Sequence, residues 1–184
     1  MLRKVLLCQL LLISGICFAQ TKITDPFKLL ENAGAEITGK LLPRLSKFDL
    51  LSITKGQALA LQDDTSKNLI LQIPAAKNKQ ISIQLIQREL RAPGFKVNTS
   101  DGRQLKNYRY GKHFSGKILG NDRSIAAFSL GSSGLSGFYA DINGNKLVEP
   151  VPGKSGVYVL YNDTDLTDKR PVGCATLDTG LQNS

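Results

Sequence analysis

Residues 108–165 decide the fold, and they read YRYGKHFSGKILGNDRSIAAFSLGSSGLSGFYADINGNKLVEPVPGKSGVYVLYNDTD. The apolar runs are too short for helices, and they are separated by Gly, Asn, Asp and Ser, which accept tight-turn dihedrals. Asn143-Gly144 predicts a type I′ turn, because both central residues of that turn need a positive φ. The pattern predicts an antiparallel meander of five strands, over residues 112–119, 124–130, 135–140, 146–151 and 157–161.

Upstream of the meander, the sequence alternates between apolar and polar residues. Ile81, Ile83 and Leu85 fall on one face of a strand, with Ser82 and Gln84 on the other. The same pattern predicts four strands, over residues 48–53, 57–61, 69–74 and 80–86, although a short helix over 56–61 also fits. We therefore predict a mainly β domain over residues 47–161, with roughly nine short strands in a meander, sandwich or strongly twisted sheet.

The segments on either side of this domain are expected to be less regular. Residues 20–46 are interpreted as a polar lead-in that buries little surface. Asp25 as N-cap, Pro26 as the first helical residue and Gly34 as terminator predict a short helix over residues 28–33. Residues 162–184 are interpreted as an irregular tail.

The N-terminus has the pattern of a signal peptide. Arg3 and Lys4 are followed by an apolar run over residues 5–17, and Ala19 precedes the expected cleavage site at Gln20. Cys17 is a poor site for lipid attachment, because Ile16 before it is too bulky. We predict that residues 1–19 are removed and that the mature chain is secreted or periplasmic, without a membrane anchor.

The chain is basic, with 24 Lys and Arg against 15 Asp and Glu, a formal charge of +9. These residues are scattered singly and form no recognisable nucleic-acid module. The charge is therefore interpreted as a solvated surface, without a nucleic-acid partner.

Polar patterns that could carry chemistry are few. His113 is the one histidine, which excludes a two-histidine metal site within the chain, and we expect a partly packed imidazole on a strand surface. Residues 131–134 indicate a hairpin turn in preference to a nucleophile elbow. Residues 141–145 and 162–168 indicate a hairpin turn and an Asx turn or helix cap in preference to calcium loops. The sequence nominates no catalytic residues and no cofactor of its own.

Cleavage of the signal peptide changes the cysteine count. Cys8 and Cys17 leave with the signal, so Cys174 is the single thiol of the mature chain and no internal disulfide can form. That thiol has three interpretations: a disulfide to another chain, a free side chain without a role, or a thiolate metal ligand.

The order of several short motifs resembles the propeptides of secreted reprolysin-like (adamalysin-type) zinc metalloproteases of the bacterial type, without their catalytic domain. The motifs are YRYGK at 108–112, FSGKILGN at 114–121, SIAAFSL at 124–130, GLSGF at 134–138, NGNK at 143–146 and YVLYND at 158–163. This resemblance implies a zymogen-type propeptide that inhibits or chaperones a protease.

The resemblance also gives Cys174 a role. In PVGCAT, residues 171–176, it matches the cysteine-switch position, where the thiolate binds the catalytic zinc of the protease. Zinc accepts such a sulfur at about 2.3 Å, and the filled position leaves no activated water. Ala175 stands where the family usually has Gly. The resemblance thus implies a metalloprotease catalytic domain as partner and its zinc as the metal.

A hypothesis from another class remains open at this point. The chain would be a stand-alone secreted β-sandwich module for adhesion or ligand binding, with Cys174 incidental. It would bind through its exposed sheet faces or through the loops at residues 131–134 and 141–145.

Overall fold

The structure, a computed structural model, describes residues 22–31, 34–75, 79–105, 108 and 110–167. These residues form a mainly β fold with ten strands in one sheet, in the order β1-β4-β5-β6-β7-β8-β9-β10-β3-β2. The strands are β1 Lys22–Thr24, β2 Lys28–Leu29, β3 Asp49–Ser52, β4 Asn68–Ala75, β5 Lys79–Arg88, β6 Lys112–Ile118, β7 Ile125–Gly131, β8 Gly134–Asp141, β9 Gly144–Pro150 and β10 Val157–Asn162. Helices α1 Ala35–Leu41 and α2 Lys55–Asp63 and a 3₁₀ turn, Asp163–Asp165, complete the described elements.

The meander from β4 to β10 confirms the predicted strands, each of which pairs antiparallel with the next. Gly131 pairs with Gly134 and Asp141 with Gly144, so two-residue loops join β7 to β8 and β8 to β9. The second loop is shifted by one residue from the predicted turn. Its central residues are Ile142 and Asn143, and Gly144, with φ of +115°, already belongs to β9.

The sheet is curled, and a short N-terminal segment joins its two edges. β1 pairs parallel with β4 at one edge, β2 pairs antiparallel with β3 at the other, and only residues 25–27 separate them. Ten flat strands would span about 43 Å at 4.8 Å per step, whereas four Cα–Cα steps reach at most about 15 Å. The edges must therefore face each other across residues 22–30, which we call the strap.

The inner face of the curled sheet holds the main core. Phe27 of the strap is 2% exposed, and its ring meets that of Tyr158 edge-on at 5.2 Å. Two glycines within the strands allow the backbones to approach closely: a Cβ at Gly116 would overlap the carbonyl oxygen of Gln84, and one at Gly137 would overlap its neighbours on β7. Glycine inside a strand commonly marks a tight bend or a close approach of two backbones. The core also contains Leu51, Leu71, Ile73, Ile83, Leu85, Phe128 and Val148.

A second apolar cluster covers the outer face of β3 and β10. Leu41 of α1 and Leu45 after it pack against Leu50, Val159 and Tyr161. Residues from the expected polar lead-in therefore contribute buried side chains to both clusters, in contrast to the prediction that this segment buries little.

The predicted helix over residues 28–33 is wrong. Lys28 and Leu29 form β2, and the nearest helix, α1, begins at Ala35. Lys28 pairs with Ser52, and the amide of Leu30 donates to the carbonyl of Leu50 at 2.8 Å. Pairing with β3 therefore overrides the local capping signal of Asp25 and Pro26.

The predicted strand over residues 57–61 is also wrong, and the helical alternative is confirmed as α2. Thr54 is its N-cap: the amide of Gln57 donates to Thr54 Oγ1 at 3.3 Å, and the amide of Thr54 donates to Gln57 Oε1 at 3.0 Å. The spacing Thr-x-x-Gln in the sequence is the signature of this capping box.

No helix among the described residues is long and apolar enough to cross a membrane.

Candidate functional site

Cys174, the predicted metal ligand, lies outside the described residues, but the structure fixes the segment that leads to it. We call residues 163–167 the exit segment. The carbonyl of Asp165 accepts from the amide of Ser46 at 2.8 Å, and Thr167 donates through its amide to Arg44 at 3.0 Å and through its hydroxyl to Pro43 at 2.7 Å. The exit segment is therefore anchored to the connection between α1 and β3.

Side-chain hydrogen bonds also hold the exit segment. Asn162 donates through Nδ2 to Asp165 Oδ2 at 2.9 Å, and Asn145 of β9 donates to Asp163 Oδ2 at 2.6 Å. Asp163 and Asp165 thus act in a capped turn, as predicted for the described part of 162–168. In the predicted hairpin at 141–145, Asp141 Oδ1 accepts the amide of Asn143 at 2.8 Å.

His113 lies where the sequence predicted it, half-buried on the outer face of β6. Its Nδ1 is 2.9 Å from Ser129 Oγ on the neighbouring strand, opposite in register. Arg88 Nε donates to Ser115 Oγ at 2.7 Å beside it. These contacts account for the imidazole as one of several polar side chains on the outer face of the sheet.

An exposed aromatic cluster, which the sequence did not predict, lies in the connection between β5 and β6. The rings of Phe95 and Tyr108 lie 6.0 and 5.0 Å from that of Tyr110, and the Arg91 guanidinium sits 4.2 Å above the Tyr110 ring. Hydrogen bonds from Arg91 lower the pKa of Glu89. Phe95 and Tyr108 are half exposed. The sequence signal that could have located the cluster is the pair Tyr108-x-Tyr110.

An open groove lies at the same end of the sheet, between α2 and the hairpins β7–β8 and β9–β10. Leu59, Ser133, Gly153 and Tyr158 line it. Tyr158 Oη accepts the amide of Leu135 at 3.3 Å. The loop at residues 141–145 lies at the opposite end of β8, so the structure does not bring together the two loops of the binding-module hypothesis.

One buried polar atom stands out in the interior. Tyr139 Oη is buried and has no hydrogen-bond partner within the described part of the chain, and burial raises the pKa of this phenol. Among residues 22–167, outside the gaps in the description, no three His, Cys, Asp or Glu side chains are grouped so that they could hold a metal ion.

The chain matches no protein-family model. A search of curated proteins returns no match either. Any functional assignment therefore depends on the residues themselves and on the anchored exit segment.

Proposed function

We propose that the mature chain is a secreted, non-catalytic inhibitor and folding partner of a zinc metalloprotease, of the propeptide type. Cys174 would bind the catalytic zinc of that protease. Two features support the proposal: the order of propeptide-like motifs from Tyr108 to Asp163, and the anchored exit segment.

The anchored exit segment is the observation that carries the proposal. Cys174 follows Thr167 by seven residues, so its Cα lies within about 25 Å of the fixed Thr167 Cα. An anchor on one side of the thiol reduces the volume that the thiol can search, which raises its effective concentration at a metal bound beside the sheet.

The chemistry requires a thiolate and an open zinc position. A zinc-bound thiol is deprotonated, and the sulfur occupies the position at which a catalytic site activates its water. Without that water the protease has no nucleophile. Inhibition would therefore end when Cys174 dissociates or is oxidised.

The test is an inhibition titration of a reprolysin-like zinc metalloprotease catalytic domain with residues 20–184. We expect Cys174→Ser to weaken inhibition by about tenfold or more, equivalent to at least about 1.4 kcal/mol. Thr176→Ser, in the same segment, is the matched control and should inhibit like the unsubstituted chain. Equal inhibition by Cys174→Ser and the unsubstituted chain would refute the role of the thiol.

A second candidate, a stand-alone secreted binding module, is favoured by the aromatic cluster. Aromatic residues and Arg are enriched in protein-binding surfaces. In that case Phe95→Ala would weaken binding of the partner and Cys174→Ser would not.

A further inference from the structure

A cavity lies at one end of the curled sheet, where the inner face of β5, β6 and β7 opens toward solvent. The last turn of α2 and the connection between β5 and β6 complete its walls. Its volume is about 630 Å³, within the range of about 300–1,000 Å³ that is typical of small-molecule sites. The mouth of a curled sheet is also a common place for such a site. We call this space the mouth cavity.

Strand register explains why polar side chains point into the mouth cavity. Gln87 lies opposite Phe114, and Lys112 lies opposite Leu130. Phe114 and Leu130 belong to the main core, and residues directly opposite each other in antiparallel strands share a face of the sheet. Gln87 and Lys112 therefore continue the inner face past the end of the apolar core.

The charges around the mouth cavity are already matched within the chain. Lys112 Nζ donates to the carbonyl of Gln62 at 2.6 Å, at the C-terminal end of α2. Arg91 donates through Nε and Nη2 to both carboxylate oxygens of Glu89. Asp63 is the second carboxylate beside these two cations. The site thus has no net charge, and an ionic ligand would have to compete with these contacts for a partner.

The neutral part of the lining combines an aromatic ring with hydrogen-bonding groups. Tyr110, the central ring of the aromatic cluster, lines the cavity together with Gln62, Gln87 and Ser132. Side-chain amides and hydroxyls both donate and accept hydrogen bonds. A purely apolar ligand would leave these groups without partners when it displaced their water. The lining therefore fits a neutral ligand that has one apolar face and many hydroxyl groups.

The surrounding strands do not favour an extended peptide. β5, β6 and β7 each have a hydrogen-bonded neighbour on both sides. A peptide cannot add to any of them as a further strand, because their backbone groups are already paired.

We propose that the mouth cavity is a binding site for a neutral saccharide. The C–H face of a pyranose ring packs against Tyr110, and the sugar hydroxyls exchange hydrogen bonds with Gln62, Gln87 and Ser132. Neither Cys174 nor zinc takes part, so this inference goes beyond the proposed function and does not depend on it.

The experiment is isothermal titration calorimetry of residues 20–184 with three neutral oligosaccharides: cellohexaose, chitohexaose and maltohexaose. We expect at least one to bind saturably with a Kd of about 1 mM or lower. Tyr110→Ala should raise this Kd by about tenfold or more, and Gln87→Ala by about fivefold. Gln84→Ala is the matched control, because Gln84 lies on β5 between the core residues Ile83 and Leu85 and so points to the outer face. Its Kd should change by less than about twofold.

Three results would overturn the inference. They are no saturable binding of any of the three sugars, unchanged affinity in both Tyr110→Ala and Gln87→Ala, and binding of heparin or a proline-rich peptide in place of the neutral sugars. Circular dichroism shows whether each variant is folded, and Gln87→Ala decides the question if Tyr110→Ala is not.

The thiol variant separates this inference from the proposed function. Cys174→Ser should bind the sugar with unchanged Kd whether or not it still inhibits a protease. Sugar binding that disappears in Cys174→Ser would contradict the location of the site. Failure of every sugar to bind refutes the saccharide site and leaves the thiol switch to its own titration.

Discussion

Replacing Phe27 by alanine tests whether the strap holds the curled sheet together. The side chain is 2% exposed, and its ring meets Tyr158 at 5.2 Å with an interplanar angle of 76°. Removing a buried phenylalanine costs about 3–5 kcal/mol, to which an edge-on aromatic pair contributes about 0.5–1.5 kcal/mol. We expect a loss of about 4 kcal/mol, a large fraction of the 5–15 kcal/mol typical of a domain.

The assay is urea unfolding of residues 20–184, followed by circular dichroism. With a slope of about 2 kcal/mol/M, the midpoint should fall by about 2 M while the slope stays unchanged. Ile23→Ala is the control within the strap: Ile23 is 63% exposed, and its loss should cost less than about 0.5 kcal/mol. A Phe27→Ala loss below about 1.5 kcal/mol would refute the closing role of the strap.

Three further predictions concern residues on the strands of the sheet. Gly116→Ala should cost at least about 2 kcal/mol in urea unfolding, because the new Cβ meets the backbone oxygen of Gln84; a neutral effect would show that the strands are farther apart. Tyr139→Phe should change the free energy of unfolding by less than about 1 kcal/mol, since the lost hydroxyl has no partner among the described residues; a larger loss would reveal one. Burial and the nearby Glu149 carboxylate raise the pKa of Tyr161 to about 12, and burial raises that of Tyr139, so both phenols stay protonated in the folded state above their unfolded value of about 10. The free energy of unfolding should therefore be unaffected below about pH 10 and fall as the pH rises to about 12, by up to about 1.4 kcal/mol per pH unit for each tyrosine. Urea midpoints measured across this range should fall less steeply with pH in Tyr161→Phe. An unchanged pH dependence in that variant would contradict the raised pKa of Tyr161.

The meander was predictable because its signals are local. Two-residue loops between short alternating strands depend on residues that are neighbours in sequence, as at Gly131–Gly134, and the structure has these hairpins. The shift of the β8–β9 turn by one residue shows the limit of such signals. Asn143-Gly144 marks a turn, but the pairing of Asp141 with Gly144 sets its centre.

The N-terminal part was not predictable from local signals, because its structure depends on distant residues. Lys28 and Leu29 become a strand by pairing with β3, and β1 becomes one by pairing in parallel with β4, more than forty residues away along the chain. Phe27 has no periodic neighbours that would mark it as core. Only closure of the sheet buries it.

The candidate site likewise has a part that the sequence predicts and a part that it does not. The capped turn at Asn162 was predictable because Asn and Asp cap turns and helices through their own side chains, and Asp165 accepts a hydrogen bond from Asn162 in the structure. The hydrogen bonds from Thr167 to Pro43 and from Asn145 to Asp163 arise from tertiary contacts. No sequence pattern indicates them.

The most direct measurement for the proposed function is X-ray absorption at the zinc edge of the catalytic domain in complex with residues 20–184. A bound Cys174 thiolate predicts a sulfur scatterer at about 2.3 Å from zinc, beside nitrogen and oxygen ligands at about 2.0–2.2 Å. In the Cys174→Ser complex the sulfur shell should disappear. A spectrum without sulfur in the unsubstituted complex, identical to that of Cys174→Ser, would contradict the assignment of the thiol as the inhibiting ligand.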